Sequence, residues 1–563
     1  MALSTKTLSS PTQFPYFTSL ATAITSCLQS LNPRTPDSSR INPAPLNQFS
    51  QFLNSQLVIE VINKQINPYH ALFFFNWASN PHPNPNYYTH CQQCYVAITD
   101  FLLSHSLFSV ASSLLEKSNK LSDFMASKFI TAYGNRGHIK GSIFWLHKAK
   151  TIADGNCLFS YNAILNVLVK GNRISLAQSF FDEMVNDAAV KQDVSTYSIM
   201  IKGYCKIGMI ENARKVFDEM SCEPNVGSYN IMINGYCKKG DMEKAIGIFY
   251  RLMGSRYYLP DTVTFTTLID GYCKKGEIDK AMKWMDEMKL RCCKPNLITY
   301  NAMIYGLCMR GNVDKAKKLM TEMRLNGLKE NLASHMSILR GLSQTGKSGE
   351  AVNYFKEMIG KGMKPGAKAY GIVVTEYCKM RIPSKAISLL KEMQAEGINP
   401  YVASFNVVFR TLVEFGELDM AILLLKQMPG MGGKPNYVSY SIVICGLCRA
   451  RGRMQDVEKL LKDMLRNGIG IDGTMYSSLV MGYCEDGNEQ MAKQAFYEMI
   501  DKNYVIRLDS FTIFVKQFCE KGKAVEAEKI FKEMCERCSV VDAESYSRIL
   551  DDQLVKHMAK GGE

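Results

Sequence analysis

The sequence predicts an all-α solenoid, a right-handed superhelix of about 13 helix-turn-helix repeats of ~35 residues. Two observations carry that prediction. Asn230-Ile-Met-Ile-Asn-Gly-Tyr-Cys-Lys-Lys-Gly240 returns as Thr266-Thr-Leu-Ile-Asp-Gly-Tyr-Cys-Lys-Lys-Gly276, and again as Asn301-Ala-Met-Ile-Tyr-Gly-Leu-Cys-Met-Arg-Gly311. The chain is also 46% apolar over 563 residues, which is too long for one hydrophobic core but suits an array of small ones.

Residues 1–45 read as a disordered leader and organelle transit peptide. Thirteen Ser/Thr fall in residues 1–36 with one Lys, one Arg and no acid before Asp37, and mitochondrion and chloroplast are weighted equally. Residues 46–91 are expected to form an N-terminal helical cap, and 92–157 two degenerate repeats. Eleven gapless units then fill 158–542, starting at Leu158, Val194, Val226, Thr262, Leu297, Leu332, Ala367, Val402, Tyr437, Gly473 and Leu508. A partial repeat, or C-terminal cap, occupies 543–563.

Each unit reads as two helices. In the first, apolar residues at positions 4, 7, 8, 11 and 12 make one stripe, and a glycine at position 15, such as Gly240, suits a helix end. In the second, Ala281, Met285 and Met288 show the same periodicity. A proline near position 34, such as Pro260 or Pro295, is expected to stop it. Neither helix can bury its stripe alone, so neighbours must stack.

Eight of the 18 cysteines, Cys205, Cys237, Cys273, Cys308, Cys378, Cys448, Cys484 and Cys519, occupy one repeat position, as small buried hydrophobes do. Zinc at the C-x-x-C pairs Cys91/Cys94, Cys445/Cys448 and Cys535/Cys538 would usually need a second pair or histidines nearby, and histidine is scarce, with only His335 and His557 after His147, so no metal or other cofactor is expected. The net charge of +14 and pI near 8.9 favour a polyanionic partner. No run of 18 apolar residues predicts a membrane span. No His-x-Glu, phosphate loop or nucleophile motif stands out, and the 21 residues after Asp542 are too few for a catalytic domain, so an enzyme is not expected.

The repeated Tyr-Asn start, Gly-Tyr-Cys-Lys centre and Pro-Asp end resemble the pentatricopeptide repeat family of land plants over roughly residues 92–542. The near-constant unit length resembles its pure class. The resemblance implies a monomer that binds single-stranded organellar RNA for stabilisation, splicing, processing or translation, alongside other RNA-processing proteins. It also implies that the fifth and last residues of each repeat face one base. An acceptor-only Asp at the last position suits the imino N–H of U or G. An Asn there can donate to C or A. A fifth-position Asn favours a pyrimidine, and Ser or Thr a purine.

On that basis Asn162 with Asp193 implies U, Ser198 with Asn225 A, Asn230 with Asp261 U, and Thr266 with Asn296 A. Asn301 with Asn331 implies a pyrimidine, as does Asn406 with Asn436, while Ser441 with Asp472 and Thr512 with Asp542 imply G. Met336 with Gly366, Gly371 with Tyr401, and Ser477 with Arg507 imply no base. The implied site is 5′-U-A-U-A-Y-n-n-Y-G-n-G-3′, with Y a pyrimidine and n any base. Second-position Phe159, Val263, Ile298 and Val438 are implied to wedge between bases. Lys206, Lys238, Lys274, Lys379 and Arg449 are candidates for phosphate contact. Helix capping is the other role open to Asn, Asp, Ser and Thr at these positions. The rival function is a protein-binding helical-repeat scaffold.

Overall fold

The computed structural model describes residues 14–35, 41–152, 156–187, 189–537 and 543–560. Among them every regular element is helical and none is a strand. The chain is an all-α array of helical repeats forming two compact units. One runs to Lys275 and includes Lys283–Lys294; the other comprises Gly276–Met282 and the chain from Pro295 onward. No helix among the described residues is long and apolar enough to cross a membrane.

First helices of the eleven units begin at Leu158, Val194, Val226, Thr262, Leu297, Leu332, Ala367, Val402, Tyr437, Gly473 and Leu508, and most span 13 residues. Further helix pairs precede them, Gln92–Ser104 with Phe108–Lys117 and Asp123–Asn135 with Ile139–Ile152, and Ala543–Lys560 follows. The one short unit owes its length to its second helix, Ile210–Asp218, which has nine residues where its neighbours have 12 or 13.

Position 4 carries the inter-repeat core. Its aromatic ring is buried against a ring on the second helix of the preceding repeat, edge to face in Phe217–Tyr229, Phe249–Phe265 and Phe355–Tyr370, at 4.9–5.4 Å between centroids. The Gly-Tyr-Cys motif is explained by the crossing of successive first helices. A Cβ on Gly235 would sit 2.5 Å from Cys205 Sγ, and one on Gly271 2.8 Å from Cys237 Sγ. Glycine is therefore the residue that lets the helices touch, and the cysteine fills the seam. Burial pushes the thiols of Cys237 and Cys273 up to about 12, as expected of packing residues.

Two expectations need correction. The proline does not stop the second helix. Met242–Met253, Ile278–Leu290 and Pro383–Ala395 end five or more residues before Pro260, Pro295 and Pro400. Left-handed glycines end several of them instead. Gly327, at φ 77°, donates its N–H to Arg324 O, and Leu328 N–H reaches Met323 O, which satisfies the final carbonyls. The leader is not disordered throughout. Helix α1 (Phe14–Leu31) buries Ala21, Ile24 and Leu28, and Lys64, on α2 (Ser55–Lys64), donates to Thr18 O and Thr22 Oγ1. Residues 1–13 and 36–40 lie outside the described residues.

Candidate nucleic-acid interface

The last residue of a unit is the N-cap of the next first helix. Asp193, Asn225, Asp261, Asn296, Asn331, Asn436 and Asp472 each accept, through Oδ1, the N–H of a residue three positions on, at 2.8–3.1 Å. Such a cap is worth about 0.5–2 kcal/mol. The cap therefore draws on one atom of each side chain and leaves a second polar atom. The cap engages Oδ1, and the remaining atom is a pure acceptor, Oδ2, in Asp193 and Asp261 but a donor, Nδ2, in Asn225, Asn331 and Asn436. The alternation of Asp with Asn leaves the cap intact and inverts the polarity of the second atom.

Fifth-position asparagines join this arrangement. Asn162 Nδ2 donates to Asp193 Oδ1 at 3.2 Å, Asn230 Nδ2 to Asp261 Oδ1 at 3.2 Å, and Asn301 Nδ2 to Asn331 Oδ1 at 3.3 Å. Sequence reasoning missed a third participant, the hydroxyl at position 3 of the following unit. Thr196 Oγ1 stands 2.7 Å from Asn162 Oδ1 and 2.8 Å from Asp193 Oδ1. Thr264 repeats this with Asn230 and Asp261, Ser334 with Asn301 and Asn331, and Ser439 with Asn406 and Asn436, at 2.5–3.1 Å. All four hydroxyls are buried. By donating towards Asn Oδ1, each sets which end of the amide is the oxygen. The signal was present, since position 3 is Ser or Thr in nine of the eleven units.

Electrostatics follow from these bonds. Burial raises the carboxyls of Asp193 and Asp261. The N–H and hydroxyl of Thr196 or Thr264, with the Asn amide, outweigh it and hold both below their usual value. Both are carboxylates at neutral pH and can only accept.

The remaining predicted sites vary. Ser198 Oγ lies 3.0 Å from Ser228 Oγ, and Ser228 is capped by Asn225. Thr266 is buried, and Asn296 forms a capping box with Thr299. Ser441 Oγ contacts Cys445 Sγ at 3.8 Å. Asp472 is more engaged than the other aspartates, with Thr474 Oγ1 at 2.8 and 2.9 Å from its two oxygens. Thr512 turns back onto Leu508 O, and Asp542 lies outside the described residues. Phe159, Val263, Ile298 and Val438 are all exposed.

The basic candidates are exposed as well, but three have protein partners. Lys206 donates to Lys170 O at 3.1 Å, Lys379 to Ser343 O and Glu376 Oε1, and Lys274 pairs with Asp270. An ammonium carries three N–H groups, so one such bond leaves others for a phosphate. Lys206 and Lys238 line one groove of about 610 Å³ together with Ser198 and Asn225. Lys170 and Lys202 line it too and are further basic residues that the sequence pattern did not mark, although Lys170 holds the same repeat position as Lys206. Among the described residues no three metal-ligating side chains gather.

Comparison with known proteins agrees with this architecture. A model of the PPR repeat family matches residues 156–206, 260–309, 295–344 and 400–449, and models of the PPR repeat match 195–223, 221–251, 333–363, 368–398, 438–469, 474–504 and 509–539. A chloroplastic pentatricopeptide repeat-containing protein of Arabidopsis thaliana is 26% identical over 178 residues, 30% of this chain and 24% of the relative. A mitochondrial one from the same plant is 26% identical over 221 residues, 37% and 39% of the two chains. The chain thus spans well under half of these relatives. Among solved structures, maize PPR10 with an 18-nt psaJ RNA element aligns over 95% of this chain and 88% of that one, at 19% identity and a TM-score of 0.43. Yeast Rmd9p with a 16-nt target RNA covers 92% and 97%, at 13% identity and a TM-score of 0.36. With repeat models matching more than half of its length, the chain belongs to the pentatricopeptide repeat family.

Proposed function

We propose that this protein binds one stretch of single-stranded RNA, one base per repeat, with the partial site 5′-UAUAYnnYGnG-3′. The observation that carries the reading is the repeated pair of fifth and last residues. In it the cap fixes one atom, and the other differs in polarity between Asp and Asn units. Asp193 and Asp261 suit the imino N–H of U. Asn225 offers a donor to the bare ring nitrogen of A. Phe159, Val263, Ile298 and Val438 are exposed where apolar wedges could part adjacent bases. Lysines beside Ser198 and Asn225 supply counter-charge for the backbone, as does the net +14. Membership of the pure class and an organellar setting are part of the proposal. The relatives named chloroplastic and mitochondrial support the setting, and the Ser/Thr-rich leader accords with it.

The test is a mobility shift with RNA carrying the partial site against the same bases scrambled, over a salt series. The expected result is tighter binding to the site, with affinity falling as salt rises. Replacing Lys206, Lys238 and Lys274 together with Ala should weaken both RNAs alike. It should also flatten the salt slope by ~0.7 for each phosphate that is no longer neutralised. No affinity for either RNA would leave the protein-scaffold reading in its place.

A further inference from the structure

The N-terminal helices hold a pair of thiols that the proposed RNA-binding face does not use. Helix α3 spans Pro68–Ser79, and α4 spans Gln92–Ser104 with Cys91 as its N-cap. Cys94 is one turn in, and the two sulfurs are 3.6 Å apart. Their surroundings differ. Cys91 is partly accessible, whereas Cys94 is fully buried, 3.7 Å from Ser55 O on α2 and 3.5 Å from the Tyr88 hydroxyl.

We propose that Cys91 and Cys94 are a dithiol site for reversible disulfide formation by exchange with a low-molecular-weight disulfide such as oxidised glutathione, with Cys91 attacking first. The Cys91 thiolate attacks one glutathione sulfur, that S–S bond breaks, and a glutathione thiolate leaves. Cys94 gives up its proton and attacks the Cys91 sulfur in turn. The second glutathione leaves as a thiolate, and two protein thiols have been oxidised as one disulfide is reduced to two thiols.

The order of attack follows from the environment of each sulfur. Burial acts against ionising Cys91, but the Ser55 hydroxyl and the N–H groups of Cys94 and Gln93 outweigh it and hold its thiol below the usual value. A helix N-terminus favours a negative charge there. Burial holds Cys94 above the usual value, which suits a resolving thiol that becomes reactive only once its neighbour is activated. The other C-x-x-C pairs lack this setting. Cys445 and Cys448 lie at the far end of their helix, Tyr437–Cys448, and burial raises Cys448; Cys538 is outside the described residues. Oxidation would take the Cys94 S–H away from Ser55 O, so the site reports on the packing of α2 against α4.

Full-length protein incubated with oxidised glutathione, then denatured, alkylated and digested, gives the redox state of each cysteine by mass spectrometry. The expected result is a Cys91–Cys94 disulfide formed before the exposed Cys292 is modified, and reversed by excess reduced glutathione. Cys94→Ser should stop at a glutathione adduct on Cys91, and Cys91→Ser should leave Cys94 unmodified. In the unaltered protein, the alkylation rate of Cys91 should reach half-maximum at a lower pH than that of Cys292, a measurement that needs no variant to fold. A pair that stays reduced while Cys292 reacts, or an alkylation midpoint for Cys91 at or above that of Cys292, would overturn the proposal.

Discussion

The unit running from Leu297 to Asn331 and the two that follow it, to Tyr401, share their helices but not their chemistry. In the first, Asn301, Asn331 and Ser334 close a hydrogen-bonded cluster at 2.5–3.3 Å. In the next, Met336 replaces the asparagine, Gly366 starts the following helix without a side-chain cap, and Ala369 replaces the hydroxyl. In the third, Gly371 presents no side chain beside Ser404, and Tyr401 makes no cap bond. Yet all six helices of these units span 13 residues. The helices keep their length without the cluster, so the proposal assigns stacking and reading to different residues of the same helix.

That separation can be broken most severely from the packing side. Phe405 is fully buried and adjoins Asn406, a proposed reading residue. Phe405→Ala is expected to cost about 3–5 kcal/mol in urea denaturation, while Asn406→Ala costs far less and relaxes the base preference at the eighth position. Equal stability losses would mean that the two roles are not separable.

A gain of function sharpens the same contrast. The Ser404 hydroxyl lies beside the site, 3.1 Å from where a Cβ on Gly371 would lie, so Ser404 must give way by a few tenths of an ångström. Gly371→Asn with Tyr401→Asn should assemble the missing cluster and create a pyrimidine preference at the seventh base. The expected discrimination is ~1–3 kcal/mol, read by competition among RNAs randomised there. A preference that stays flat would show that the cluster alone does not confer reading.

Removing one hydroxyl is a gentler test. Thr264→Val keeps the shape but loses the donor to Asn230 and Asp261. A loss of about 1 kcal/mol in stability is expected, with a weakened U preference at the third base, because the Asn230 amide is then oriented only by its bond to Asp261 Oδ1. Stability lost with the U preference intact would make Thr264 a capping residue only.

The smallest effect expected is on acid stability. Asp193 and Asp261 are held below the unfolded carboxyl value. Their contribution is complete above that value, near 4, and is lost as pH falls through the folded value. The urea midpoint should therefore drop below about pH 4, and by less in Asp193→Asn with Asp261→Asn, which keep the caps but no longer titrate. An identical acid profile in the double variant would assign the loss to other groups.

Much of this was legible in the sequence because the repeat displays each feature many times over. The 35-residue period, the buried position-4 ring and the Gly-Tyr-Cys seam are all local patterns. The position-3 hydroxyl was harder to read, since its partner lies about 33 residues upstream and a Ser or Thr near a helix start has an ordinary local explanation. The left-handed Gly327 was overshadowed by proline as the expected helix stop. In α1, a Ser/Thr-rich composition masked the spacing of Ala21, Ile24 and Leu28, and only packing against α2 gives that stripe its meaning.

The central claim is that the last residue of a repeat caps with one atom and reads with the other. Asn225→Asp tests it most directly, because Asp retains the Oδ1 that caps Ser228 and replaces a donor by an acceptor. The measurement is binding of parent and variant to RNAs randomised only at the second base of the site. The account predicts unchanged thermal stability and a switch from A to G, whose N1–H and N2–H can donate to a carboxylate, with a mismatch costing about 1–3 kcal/mol. The same base preference in both proteins would contradict it and leave Asn225 a helix cap alone.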